Sequence, residues 1–354
     1  MRLLDRYVGR TVISATLLAL LVLLTLDTLF TVAEELEEVG RGDYGLAQAA
    51  AYIALTLPRR AYELFPSAVL LGALAGLGSL AAGSELVVVR AAGVSRARVV
   101  WAALKAGLVM VIAAVVVGEA LAPAAEQYAE RRKTLAQTQR VLAETREGFW
   151  VRHGPDFINF RRILPGPRLA DLTIYEFDAD YRLRRAVHAR SAHYASGRWV
   201  LEEVRYSRLK DDGVVKGRAP RSVRASFIDP ALLEVVIVDP ERLSASGLRR
   251  YARYMRENGL DAGRYELAFW IRVMSPLSSL VMLLVAMPFV FGPLRAAGLW
   301  HRILAGVLIG VLFYVLNQTL NHLGLVYGLH PFVSAVLPPL IFLIAALEGL
   351  RRLR

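Results

Sequence analysis

Residues Trp101 to Ala122 read WAALKAGLVMVIAAVVVGEALA, and Pro123 follows. A helix rises about 1.5 Å per residue, so this run is long enough to cross the roughly 30 Å hydrocarbon core of a bilayer. Its only charges are Lys105 and Glu119. Beyond Pro123, which is expected to close the span, the composition turns polar and stays so to about Arg264. Reading the run as a membrane helix decides the architecture, because it sets a large water-facing insertion in the middle of a membrane protein.

Working outward, Thr11 to Ala33 forms a first span. It is too long for the apolar core of a signal peptide and carries no small-residue cleavage site, so it is read as a retained helix. Leu64 to Ala82 forms the second. A shorter apolar stretch before it, Leu46 to Leu57, ends at Pro58-Arg59-Arg60 and either lies at the interface or extends the second helix. After the insertion come Leu267 to Phe291, Ile303 to Leu323 and Pro331 to Leu347. Six spans agree with a 354-residue chain that is 55% hydrophobic, with a mean hydropathy of +0.41.

The net charge of +12 would suit a nucleic-acid surface, but its distribution fits basic loops on one side of a membrane. Arg2, Arg6 and Arg10 precede the first span. Arg90, Arg96, Arg98 and Lys105 lie around the loop between the second and third. Arg295 and Arg302 separate the fourth and fifth, and Arg351, Arg352 and Arg354 end the sequence. With six spans these regions share one side, which the positive-inside rule makes cytoplasmic. Both termini are then cytoplasmic and the insertion lies outside, which is the periplasm if the cell has two membranes. The expected organisation is residues 1–122 for helices one to three, 123–264 for the periplasmic domain with flanking helices, and 265–354 for helices four to six. There is no cysteine, so no disulfide and no Cys-based metal site.

Within the insertion the pattern becomes strand-like. Phe149-Trp150-Val151 and Phe157-Ile158-Asn159-Phe160 flank a Gly154-Pro155-Asp156 turn. Leu172 to Phe177 alternates, Arg198 to Tyr206 follows a turn at Ser196-Gly197, and Asp211-Asp212-Gly213 marks another turn. Residues 148–238 are expected to be antiparallel β. The leader Glu126 to Thr145 reads as a charged helix, and Ser246 to Asn258 as a helix with Leu248, Tyr251, Tyr254 and Met255 on one face. The abundance of arginine is either an ordinary solvated surface or a platform for an anionic lipid headgroup.

Catalytic signatures are missing from the sequence. It has no G-x-x-x-x-G-K-[ST] to cradle ATP phosphates, no H-E-x-x-H and no G-x-S-x-G. Gly40-Arg41-Gly42-Asp43 matches a short protease string but sits in a charged loop without a partner carboxylate. His188 and His193 are five apart in a β region, on opposite faces, which argues against a metal site. Polar groups inside spans need partners or a function, because buried charge in lipid is costly. Asp27, Glu119 and Arg272 are such residues, while Asn317 and Gln318 lie mid-span in the fifth helix. Together with Arg131, Arg132 and Lys133 of the charged leader, Asp27, Glu119, Arg272 and Gln318 are candidates for lipid contact. Interhelical bonding is an equal alternative for those inside the spans.

The cytoplasmic loop after the second span reads Gly83-Ser84-Glu85-Leu86-Val87-Val88-Val89-Arg90-Ala91-Ala92-Gly93-Val94-Ser95. It predicts a short helix with Ser84 as N-cap, Glu85 in the first turn and Gly93 as the stop. This string resembles the coupling-helix motif of the LptF/LptG lipopolysaccharide export permease family. Further similar strings run along nearly the whole chain. They include Leu4-Asp5-Arg6-Tyr7, Leu71-Gly72-Ala73-Leu74 with Gly76-Leu77-Gly78, Gly118-Glu119, Ser246-Gly247-Leu248 and Asp261-Ala262-Gly263-Arg264-Tyr265. Phe291-Gly292-Pro293-Leu294-Arg295, Phe313-Tyr314-Val315-Leu316 and Tyr327-Gly328 complete the set, which is most similar to the LptG branch.

The resemblance implies a jellyroll-like periplasmic domain and a permease subunit of an ABC transporter, without an ATP site or metal of its own. It implies an LptF-like permease, a dimeric LptB-like ATPase that holds ATP and Mg, an LptC-like single-span protein and an LptA-like periplasmic bridge. Lipopolysaccharide would be the cargo, and no nucleic acid is expected. Ser84, Glu85, Leu86, Arg90 and Gly93 would be the coupling residues. The family commonly carries basic residues after the first span. Here Glu34, Glu35, Glu37 and Glu38 stand there, so phosphate contact at that place would need a bridging divalent cation. Because each methylene brought into water costs about 0.8 kcal/mol, acyl chains must be shielded along the path. An apolar bundle rich in Gly72, Gly76 and Gly78 and an apolar β interior are expected to do so. The alternative is a permease of another lipid or lipoprotein export transporter, although lipoprotein-releasing subunits carry their domain after the first span. A membrane enzyme acting on lipids would need a catalytic constellation that the sequence lacks.

Overall fold

The structure, a computed structural model, describes residues 2–138, 143–164, 167–178, 180–210, 213–225, 243–257, 261–292 and 299–352. Among them six helices are long and apolar enough to cross a membrane. In order they involve α1 (Arg2–Glu38), α2 (Leu46–Ala82), α4 (Arg96–Val116) continued by α5 (Ala122–Thr138), α7 (Gly263–Phe291), α8 (Leu299–Val326) and α9 (Pro331–Arg351). The short helix α3 (Glu85–Ala91) joins the second and third spans, and α6 (Ala245–Glu257) precedes the fourth.

Helix α2 runs through Pro58, so of the two readings of Leu46 to Leu57 the extension of the second helix holds. One boundary differs from the sequence reading: Pro123 does not close the third span. Its ring nitrogen has no hydrogen to donate to Glu119, which would break an α-helix there. Val117 to Leu121 widen instead into a π-turn, in which the Ala122 N–H reaches the Val117 carbonyl. The backbone is re-paired and the helix continues to Thr138.

The membrane core centres on α2. Leu70, Leu74 and Leu77 pack with Val8 and Val12 of α1, Ala103 of α4, Met282, Leu283, Ala286 and Met287 of α7, Phe313 of α8 and Phe342 of α9. Helices α1 and α8 leave long apolar faces uncovered, including Leu17, Leu21 and Phe30 on the former and Leu308, Leu312 and Tyr314 on the latter.

Between α5 and α6 the described strands form one antiparallel sheet in the order β1-β2-β3-β4-β5-β6. These are β1 (Ala143–His153), β2 (Asp156–Leu164), β3 (Arg168–Phe177), β4 (Leu183–Ala195), β5 (Arg198–Lys210) and β6 (Gly213–Ala225). The helical leader therefore ends at Thr138, and Ala143 to Thr145 are already strand. Asp211-Asp212, residues 226–238 of the expected β region, Asn258 and Pro293-Leu294-Arg295 lie outside the described residues.

The buried face of the sheet changes phase midway. Its inward residues run Ile158, Phe160, Ile163 on β2, Leu169, Leu172, Ile174 on β3, Val187, Ala189, Ala192 on β4 and Trp199, Leu201, Val204 on β5. In each strand one step is three residues instead of two, at the same level of the sheet. Asp171 and Glu203 adopt positive φ there, and Arg161 pairs with Asp171 at 3.6 Å and Arg190 with Glu203 at 3.1 Å. A strand alternates faces strictly, so this row keeps one side apolar across long strands. Tyr251 of α6 seals part of that face, its ring 4.3 Å from that of Tyr265.

Candidate coupling and lipid-contact sites

Helix α3 lies at the end of the bundle that also holds the N-terminus: the Tyr7 hydroxyl donates to Glu85 Oε2 at 2.6 Å. Leu86, 5% exposed, anchors it in the membrane core, while Val88 on its outer side is 67% exposed. Val87 and Arg90 are exposed as well. Ser84 occupies the N-cap position, but its φ of 60° turns the side chain away and its hydroxyl caps nothing. The tight exit from α2 requires that backbone turn, and the Ser84 carbonyl accepts the Val87 and Val88 N–H groups instead. Gly93, at φ 88°, ends the helix in the left-handed conformation that favours glycine. The result is a short helix with an anchored inner residue and an apolar, charge-flanked outer face.

At the opposite end, the polar residues of the spans form pairs. Asp27 of α1 accepts from Arg60 of α2 at 2.7 Å. Glu119 accepts from Arg272 Nε at 2.7 Å with one oxygen and from the Ala245 N–H at 2.8 Å with the other. Arg272 also donates to the Gly118 carbonyl, and Tyr62 donates to the Arg272 carbonyl at 2.9 Å. These bonds join the second, third and fourth spans to the start of α6.

Lys133 lies in a cage. Its ammonium is 2.5 Å from Glu35 Oε1 and faces the rings of Tyr52 and Tyr44 at 4.5 and 5.6 Å. Tyr44 donates to the other oxygen of Glu35 at 2.7 Å. Burial, followed by this bond to a carboxylate, raises the pKa of Tyr44 well above that of an ordinary tyrosine. A cleft of about 190 Å³ runs past Tyr44, Gln48, Tyr52, Arg132 and Lys133. Arg131 and Arg132 are exposed beside it, the latter over the Tyr128 ring at 5.5 Å. Gln318 is exposed on α8, while Asn317 accepts from Asn321 of the same helix at 3.3 Å.

The sequence reading missed Arg60, Glu35 and Tyr44 as pairing partners, because Pro58-Arg59-Arg60 reads as a segment end and Glu35 as one of a solvated acidic run. It also counted Arg302 as a loop charge. Arg302 is 2% exposed and donates to the Gly78 carbonyl. The glycines expected to line an acyl path serve close helix packing instead. A Cβ on Gly72 would run into the Thr16 backbone, and one on Gly78 would lie 2.7 Å from Arg302 Nη1.

With this geometry in place, the profile of the family "Lipopolysaccharide export system permease LptF/LptG" matches residues 6–352. The chain belongs to this family. It is 36% identical over 352 residues to the lipopolysaccharide export system permease protein LptG of Escherichia coli K12, covering 99% of this chain and 98% of that one. It is 35% identical over 343 residues to LptG of Haemophilus influenzae, covering 96% of both. As a member of a permease family with six apolar spans, it is a multi-pass protein of the inner membrane. The string from Ser84 to Ser95 that carries the resemblance falls on α3 and the turns at its ends, within the matched range, and so does the six-stranded sheet.

Proposed function

We propose that the chain is the LptG-type permease subunit of an ABC transporter that extracts lipopolysaccharide from the inner membrane and passes it to a periplasmic bridge. The two curated relatives bear that name, and one observation carries the mechanical part. Helix α3 is fixed to the bundle through Leu86 and the Tyr7–Glu85 bond and offers Val87, Val88 and Arg90 outward, with Glu85 exposed beside them. A rigidly held helix with an apolar outer face suits a groove in a dimeric LptB-like ATPase, which would hold ATP and Mg. Ser84 and Gly93 would set its two ends.

The basic end of the bundle is then cytoplasmic and the sheet periplasmic. The uncovered faces of α1 and α8 suit an LptF-like permease and an LptC-like helix, with Gln318 available for a bond across the interface. The apolar face of the sheet would shield acyl chains on the way to an LptA-like bridge. Asp27, Glu119 and Arg272 act as ties between helices, and the exposed Arg131 and Arg132 bring positive charge to the cargo's phosphates, while Lys133 is held by Glu35.

Glu85→Lys tests this reading. Removing one partner of a desolvated charge contact costs about 2–5 kcal/mol in binding. The variant should insert and fold yet lose ATPase association and lipopolysaccharide release from spheroplasts. An Arg→Glu change in the ATPase groove should restore part of both. Assembly and export equal to the parent would refute the coupling role of Glu85.

A further inference from the structure

Helix α6 carries three arginines, Arg249, Arg250 and Arg253, on one exposed face, and the export role proposed above does not use them. Its other face is buried through Leu248, Tyr251 and Ala252. Among the described residues no carboxylate pairs with any of the three. With Ala245, Ser246 and Phe269 of α7 they line an open cleft of about 340 Å³.

The depth of the cleft is fixed by bonds at either end of α6. Its first residue, Ala245, donates to Glu119, which holds Arg272, nine residues into α7 and so about 13 Å along its axis. Near the other end Arg256 pairs with Glu266, in the first turn of α7, at 3.2 Å. Helix α6 therefore lies alongside the outermost turns of the fourth span. Trp270 packs edge-on against Phe332 at 4.8 Å at the same level. Tryptophan is enriched at the membrane–water interface. Phe269 stands just inside the apolar part of α7, which begins at Leu267.

We propose that this cleft binds the phosphate of an anionic membrane lipid in the leaflet on the side of the β-domain. Guanidinium groups match phosphate oxygens in paired, charge-assisted bonds. Three of them over an aromatic floor suit an amphiphile, whose phosphate meets the arginines while its glycerol or sugar and chains continue along Phe269 into the bilayer. A soluble phosphate would have no use for that floor. Bound there, the lipid would tie α6, and through Tyr251 the apolar face of the sheet, to the membrane surface.

The test is native mass spectrometry of the full chain, with the partners it brings through purification. It is titrated in parallel with phosphatidylglycerol, with phosphatidylcholine of the same acyl chains, and with lipopolysaccharide. Phosphatidylglycerol should be retained in preference to phosphatidylcholine. Each arginine contributes about 1 kcal/mol toward an anionic lipid surface, about fivefold, so R249Q/R250Q/R253Q should weaken retention about 100-fold. Should that variant fold poorly, R250Q alone should show about a fivefold loss.

Retention of lipopolysaccharide with the same arginine dependence, and of phosphatidylglycerol without it, supports the site and assigns it to the cargo. The reverse assigns it to a resident phospholipid. The proposal fails if the parent distinguishes neither anionic lipid from phosphatidylcholine, or if the triple variant retains both anionic lipids as the parent does. It fails equally if inorganic phosphate alone displaces the lipid.

Discussion

Arg272 in the fourth span donates to Glu119 in the third at 2.7 Å, and the free oxygen of that carboxylate accepts the Ala245 N–H that starts α6. Glu119 reaches both because it lies within the π-turn Val117–Leu121, which rotates the residues after it relative to a regular helix. One carboxylate thus connects two membrane helices with the segment that leaves the β-domain. Removing one partner strands the remaining charge; Glu119 is partly exposed, so the cost stays below that of a fully buried pair, about 3–5 kcal/mol. Glu119→Gln is expected to lower the thermal midpoint of the detergent-purified protein. It should also raise hydrogen exchange at the start of α6, which a defect confined to the membrane helices would not do. Unchanged exchange at residues 245–248 would show that the tie is not structural.

Close packing of α2 against its neighbours gives a second expectation. Gly78 lies against the Arg302 guanidinium, so Gly78→Val should displace a buried cation from its carbonyl partner as well as overpack the helices. Overpacking alone costs about 1–3 kcal/mol. The same change at Gly306, whose neighbours are the terminal methyls of Leu71 and Leu74, is expected to cost less, because no ion or hydrogen bond is displaced there. Thermal unfolding of the two variants in one detergent decides the order.

Alkaline pH should loosen the β-side of the molecule. Burial raises the pKa of Tyr44 and Tyr251; the bond to Glu35 adds to it in the first, and Tyr265 in the second. The folded state then holds protons that the unfolded state has released, so stability is complete below the ordinary tyrosine pKa of about 10 and declines as pH rises above it. Ultraviolet titration should show these two phenols ionising later than exposed tyrosines. Tyr44→Phe should remove one late-titrating group. An unchanged titration curve for that variant would show that Tyr44 ionises normally.

Sidedness can be measured without first removing native cysteines, since the chain has none. Arg96→Cys begins α4 beside α3, and Arg182→Cys precedes β4. An impermeant maleimide applied from the periplasm is expected to label the second and spare the first. Labelling of both from that side would overturn the proposed orientation.

Gly93→Val tests the shape of the α3 loop. At φ 88° a β-branched side chain is strained although the space around it is open, and the left-handed conformation costs about 1–2 kcal/mol. The protein should still insert and keep its melting point to within a few degrees, while ATPase association weakens. If Gly93→Val binds the ATPase like the parent, the end of α3 is not part of the interface.

The sequence by itself determined the six spans, their common basic side and an antiparallel insertion after the third. Each of these rests on local, additive properties: twenty-odd apolar residues in a row, the placement of Arg and Lys, and alternation with turn residues. It also determined the family, since the string from Ser84 to Ser95 is contiguous. The tertiary structure alone decided where polar side chains are matched. Arg60 with Asp27, Lys133 with Glu35 and Arg302 with the Gly78 carbonyl join residues far apart in the chain, and nothing local specifies such partners. It also decided that Pro123 is absorbed by a π-turn and that the inward face slips by one residue from Phe160 to Val204 across four strands. Both follow from backbone bonds re-paired over several residues. A count of period 2 or 3.6 cannot register them, because each leaves the composition of its segment unchanged.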